Sequence, residues 1–140
     1  MASKYSTESA VANVQPRRTG EKLGWLGGWT GGFLWLLVFV ILRFAQGYFI
    51  QGFIALGIFA LAMTFVFVFA PWRWPSTRYY LLMPPPFAVF LGAVCWVVWS
   101  LGGLKENGLA WWHFLWIIAC MSPFVTVGAR RWKDGDARLP

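Results

Sequence analysis

Four apolar stretches, each about 19 to 24 residues long, follow one another with only short polar breaks between them. They cover about residues 25–44, 47–70, 86–104 and 109–128. A helix rises about 1.5 Å per residue, so ~20 residues cross the ~30 Å of a bilayer's hydrocarbon core. A membrane barrel needs alternating segments of about ten residues, a pattern this sequence lacks. The runs predict an all-α integral membrane protein with four transmembrane helices within residues 23–129. Residues 1–22 are expected to be a disordered polar and basic tail, and 130–140 a basic tail.

Composition agrees. Charged residues make up 12% of the chain, about half the ~25% of a soluble domain. The 11 Trp and 13 Phe suit bilayer interfaces, where an apolar ring and a polar edge are both satisfied. The first apolar run is too long for the core of a cleavable signal peptide, so it is expected to insert uncleaved.

Charge placement predicts orientation. With four spans, both termini share one side with the loop between helices two and three. Of the 12 basic residues, Lys4, Arg17, Arg18, Lys22, Arg73, Arg78, Arg130, Arg131, Lys133 and Arg138 fall on that side. Only Arg43 and Lys105 fall on the other, and positive residues stay cytoplasmic. The N and C termini are therefore expected in the cytoplasm. The outer loops are short: Ala45 and Gln46 form one, and Lys105, Glu106 and Asn107 the other. The net charge of +7 lies in clusters too small to follow a phosphate backbone, which argues against nucleic acid. Arg17, Arg18, Lys22, Arg73, Arg78, Arg130, Arg131 and Lys133 read instead as basic flanks facing anionic lipid. The bacterial plasma (inner) membrane is the expected location.

The stretch GWLGGWTGG, residues 24–32, opens the first run. Glycine costs about 1 kcal/mol of helix propensity relative to alanine. Without this stretch, however, residues 33–44 would cover only about 18 Å, too little to span. The glycines are therefore expected to be helical. At about 100° per residue, Gly24, Gly27, Gly28, Gly31 and Gly32 fall within an arc of about 140°, beside Trp25, Trp29 and Phe33. Such a face lets another helix approach closely, the small-xxx-small mode of association. Two readings stay open: docking on a second copy or another subunit, and packing inside the chain's own bundle. Gly47, Gly52 and Gly57 scatter around helix two and read as local packing adjustments.

Pro84, Pro85 and Pro86 mark a helix start, because the first amides of a helix lack intrahelical partners. Residues before proline avoid the helical region, so Pro84 and Pro85 are expected in polyproline II, with helix three beginning near Pro86. A broken helix lining a substrate site is the alternative. Pro123 is expected to kink helix four. His113, the single histidine, reads as an interfacial imidazole, or else as part of a site that a partner completes. Arg43 is expected to snorkel to the interface. Gln51, Thr64 and Ser122 could bond across helices, and Cys95 and Cys120 read as buried small hydrophobes.

All five acids, Glu8, Glu21, Glu106, Asp134 and Asp136, lie outside the apolar runs. Intramembrane acids mark most proton and cation pathways. No nucleophile–base pair, metal motif or phosphate loop can be drawn, so neither an enzyme nor a cofactor or metal site is expected. The reading that remains is an accessory, scaffold or assembly subunit of a larger membrane complex. It would associate with other membrane subunits, or with itself, through the glycine face. An oligomeric small transporter or channel, and a membrane immunity or stress protein, are the alternatives.

Overall fold

A computed structural model describes residues 2–106, 108 and 110–135, with side chains from residue 19 onward except at 111, 114, 116 and 135. Helix α1 spans Ala2–Ala45, α2 Phe49–Val68, α3 Tyr79–Leu82, α4 Pro84–Ser100 and α5 Gly103–Glu106. A 3₁₀ turn over Trp111–Phe114 leads into α6, Leu115–Cys120, and α7, Ser122–Thr126; a second 3₁₀ turn covers Trp132–Gly135. Three helical stretches, Thr19–Ala45, Phe49–Val68 and Tyr79–Ser100, are long and apolar enough to cross a membrane. By composition this is a membrane protein.

Helix α1 is 44 residues long and takes in both the glycine stretch and residues 2–22, expected as an irregular tail. It ends in a Schellman motif. Gly47 adopts φ +82°, while the Tyr48 N–H donates to the Arg43 carbonyl at 2.9 Å and the Gly47 N–H to Phe44 at 3.1 Å. A left-handed residue after the last helical turn is glycine's usual place. Gly47 thus closes α1 and does not open α2, as the boundary 47–70 had placed it.

Helices α1 and α2 pack along each other, and their buried positions recur at heptad spacing: Phe33, Leu36, Val40 and Arg43 on α1, and Gly52, Ala55, Ala62 and Val66 on α2. The buried residues of α2 are mostly small, and Trp25 and Thr30 of α1 reach Val66 and Met63 across the seam. A Cβ at Gly52 would run into the Phe44 ring, with Cζ at 3.0 Å, so a side chain there needs the ring to move.

The end of α2 is fully accounted for. Its last four carbonyls have no intrahelical partner of their own. Phe65 accepts from the Phe69 N–H at 2.9 Å and Phe67 from the Ala70 N–H at 3.4 Å. Val66 accepts from the Trp25 indole at 3.1 Å and Val68 from the Trp74 indole at 3.0 Å. Two tryptophans do the work of water where water is scarce.

Helix α4 completes a three-helix body. Phe33 and Trp35 meet the Phe90 ring edge-on at 5.9 and 6.5 Å, and Phe39 meets Trp96 at 5.9 Å. Pro84, Pro85 and Pro86 occupy the first turn of α4, which corrects the expected polyproline II. The first amide that can bond is Phe87, which donates to Met83 at 3.1 Å. Proline's fixed φ already suits a helix and its missing N–H costs nothing in a first turn. Met83, although it precedes a proline, is itself helical at φ −77° and ψ −36°.

The fourth apolar run does not form a continuous spanning helix. Its longest apolar helical stretch is Ile117–Thr126, broken at Met121, and Pro123 opens α7 instead of kinking a longer helix. A proline inside a helix removes a hydrogen bond and clashes with the preceding turn. The run nevertheless returns the chain along the bundle. Ser100 lies beside Arg43 at one end. At the other, the Tyr79 N–H donates to Arg130 at 3.0 Å and the Tyr80 N–H to Gly128 at 2.9 Å. Lys133 is joined likewise to Pro75 at 3.1 Å, and buried Trp132 packs on Trp72 at 6.0 Å. Residues 130–134, expected as part of a tail, are stitched to the loop after α2.

Large apolar side chains cover the outside of the body: Ile50, Phe53, Trp99, Ile118 and Val125 are all exposed. In hydrocarbon this has no cost. Cys95 and Cys120 are exposed free thiols, not buried hydrophobes as expected.

Candidate functional site

The five glycines of the 24–32 stretch make no close contact with the rest of the bundle. All are exposed, and a Cβ built on any of them meets nothing within 4 Å. Trp25 and Phe33, one turn around the helix, take up the packing; both are buried. The aromatic residues of α1 are packed inward, whereas Gly27 and Gly31 face away.

The face divides in two. Gly24, Gly28 and Gly32 form one wall of a groove of about 510 Å³, whereas Gly27 and Gly31 do not line it. Met83, Phe87 and Phe90 form a second wall. Cys120, Pro123 and Val127 form the third, on the broken fourth run. Phe124 holds that run against α4, with its ring edge-on to Phe87 at 5.5 Å. Glu21, Arg130 and Arg131 stand at one end of the groove.

That end carries most of the described basic residues. Lys22 lies 5.9 Å from the centre of the Trp72 ring and Arg78 6.0 Å from that of Tyr80. The Arg131 N–H donates to the Asp134 carboxylate at 2.9 Å. Arg73, Arg130 and Lys133 are exposed there. The side chains of Lys4, Arg17 and Arg18, and all of Arg138, lie outside the described residues. So do Asn107 and Leu109.

Arg43, expected to snorkel, is 9% exposed. It donates to the Gln46 side chain at 3.1 Å and weakly to the Ser100 carbonyl at 3.5 Å. Its guanidinium lies 5.0 Å from the Phe39 ring centre and 5.2 Å from that of Tyr48. The arginine clamps the ends of α1 and α4 together between two aromatic faces. Its Nε and the Oε1 of Gln51 are buried without a hydrogen-bond partner. No sequence pattern marked the clamp, since an arginine at the end of an apolar run is equally suited to snorkelling.

The remaining polar candidates act locally. His113 stacks on Trp112 at 3.8 Å, and its Nδ1 lies 2.9 Å from the Ala110 N–H, which donates to it when the proton is on Nε2. Thr64 donates to Ala60 within its own helix at 2.9 Å, and the Ser122 carbonyl accepts from Thr126 at 3.1 Å. Neither bond crosses between helices. Among the described residues, no group of three or more His, Cys, Asp or Glu could hold a metal ion. Trp132, amid the basic residues that follow the fourth run, is buried against Trp72.

The architecture is that of a small, all-helical membrane protein with an aromatic inner seam and an open glycine face. Comparison with protein-family models, curated proteins and solved structures finds no match.

Proposed function

We propose that this protein is an accessory, scaffold or assembly subunit of a larger membrane complex. It docks a helix of another subunit, or of a second copy, on the outward strip of α1 at Gly27 and Gly31. The observation that carries the reading is the open space over these glycines on a helix already packed through its opposite side. A glycine strip costs helix propensity, and close approach of a second backbone offsets that cost in lipid. In this reading the basic end lies on the cytoplasmic side, as the bias of positive residues favours.

Purification of the tagged full chain from its native membrane in a mild detergent tests the reading. The wild type should elute with a larger assembly or as an oligomer, and Gly31→Leu should release it as a folded monomer. Elution of the wild type as a monomer, or an unchanged assembly with both Gly27→Leu and Gly31→Leu, would remove it. A reporter fused after Glu106 should register outside the cytoplasm; a cytoplasmic signal would reverse the orientation.

A further inference from the structure

The groove beside α1 has an apolar length and one charged end. Gly24, Gly28 and Gly32 line it over about 12 Å of helix at about 1.5 Å per residue. That is close to the ~15 Å depth of one leaflet, half of the ~30 Å hydrocarbon core. Its volume of about 510 Å³ falls within the roughly 300–1,000 Å³ of small-molecule sites, which are mostly apolar with a few placed polar groups. We infer that this groove holds an acyl chain of an anionic phospholipid, with the lipid phosphate at Arg130 and Arg131.

Three features support this occupant. The walls are aliphatic, aromatic and glycine surfaces, so the interior suits hydrocarbon. Its end is lined by Arg130, Arg131 and the single acid Glu21, so basic groups outnumber acidic ones there. The nearby acid Asp134 is engaged by the Arg131 main chain. The arginines are also held in place without using their side chains: the Arg130 carbonyl accepts from Tyr79, and the Arg131 N–H donates to Asp134. Both guanidinium groups can turn to a phosphate, for which the planar fork is suited. A zwitterionic lipid would gain less from the charged end.

This goes beyond the docking reading and uses the other glycines, so each can fail alone. The test is native mass spectrometry of the purified full chain in detergent micelles doped with equal amounts of phosphatidylglycerol and phosphatidylcholine. The wild type should retain phosphatidylglycerol over phosphatidylcholine by roughly thirtyfold, the fold-change for about 1 kcal/mol from each of two basic groups near the lipid surface. Arg130→Gln with Arg131→Gln should bring the ratio near parity, because neither side chain holds the fold together. Arg73→Gln with Arg78→Gln should leave it unchanged; an equal loss there would mean a diffuse basic surface and overturn the site. Gly28→Leu, which fills the channel, should reduce retention of both lipids.

Equal retention of both lipids by the wild type would overturn the inference, as would a ratio insensitive to the Arg130 and Arg131 pair. Loss of the preference in millimolar inorganic phosphate would assign the arginines to a free anion instead. Co-elution of a protein in place of lipid, lost with Gly28→Leu, would assign the groove to a partner and equally overturn it.

Discussion

The indole of Trp25 donates to the Val66 main-chain oxygen across 3.1 Å, between residues 41 positions apart. This bond fastens the glycine stretch of α1 to the last turn of α2. The acceptor is a helix-end carbonyl with no partner in its own helix. Trp25→Phe keeps most of the ring but leaves that buried oxygen unsatisfied, a loss of about 1–3 kcal/mol. Thermal unfolding in detergent should show Trp25→Phe well below wild type. The equivalent change at exposed Trp99 should have no comparable effect.

Gly52 and Gly57 lie on one helix but differ in what surrounds them. A side chain at Gly52 collides with the Phe44 ring, whereas one at Gly57 meets open space. Gly52→Ala is expected to destabilise by about 1–3 kcal/mol through overpacking. Gly57→Ala should be neutral or stabilise by up to about 1 kcal/mol through helix propensity. Phe44→Leu should rescue Gly52→Ala in part, and a double-mutant cycle measures the coupling. Additive effects would show that the ring is not the obstacle.

Arg43 combines a hydrogen bond to Gln46, a longer one to Ser100 and two ring faces. Arg43→Ala should cost about 2–3 kcal/mol through lost packing and hydrogen bonds together. Arg43→Lys should recover only part of that, because an ammonium cannot reproduce the planar fork. Denaturant titration in micelles checks both. Full recovery by lysine would reduce the residue to a plain positive charge.

Trp132 holds the last described segment onto the loop after α2. Trp132→Ala should cost about 3 kcal/mol locally, toward the low end for a buried aromatic. The first consequence should be release of the bonds from the Tyr79 and Tyr80 amides to residues 130 and 128. Hydrogen exchange should then accelerate at Tyr79 and Tyr80 but not at the core of α2. Uniform acceleration along the chain would mean that the segment is not a separate unit of stability.

The helical class followed from length and apolarity, because a chain crossing hydrocarbon must satisfy its amides internally. The helical glycine stretch and its shared face followed from span length and the helical period. Gly47 read as the start of α2 and a local packing adjustment, and not as the left-handed residue that ends α1. Pro86 was legible as a helix start, whereas Pro84 and Pro85 read as polyproline II and are helical. The break at Pro123 was legible only as a kink.

Tertiary structure decided which faces meet. In water, apolar periodicity separates inside from outside; in lipid both sides of a helix can be equally apolar, and shape chooses. The aromatics of α1 therefore packed against both α2 and α4, leaving Gly27 and Gly31 open. The same lack of polarity contrast hid the exposure of Cys95 and Cys120. Arg43 and Trp132 were equally opaque, since each found its place through partners distant in sequence. The chain's apolar lengths and its bias of charge were properties of the sequence alone. The seam, the groove and the clamp arose from side chains fitting one another in three dimensions.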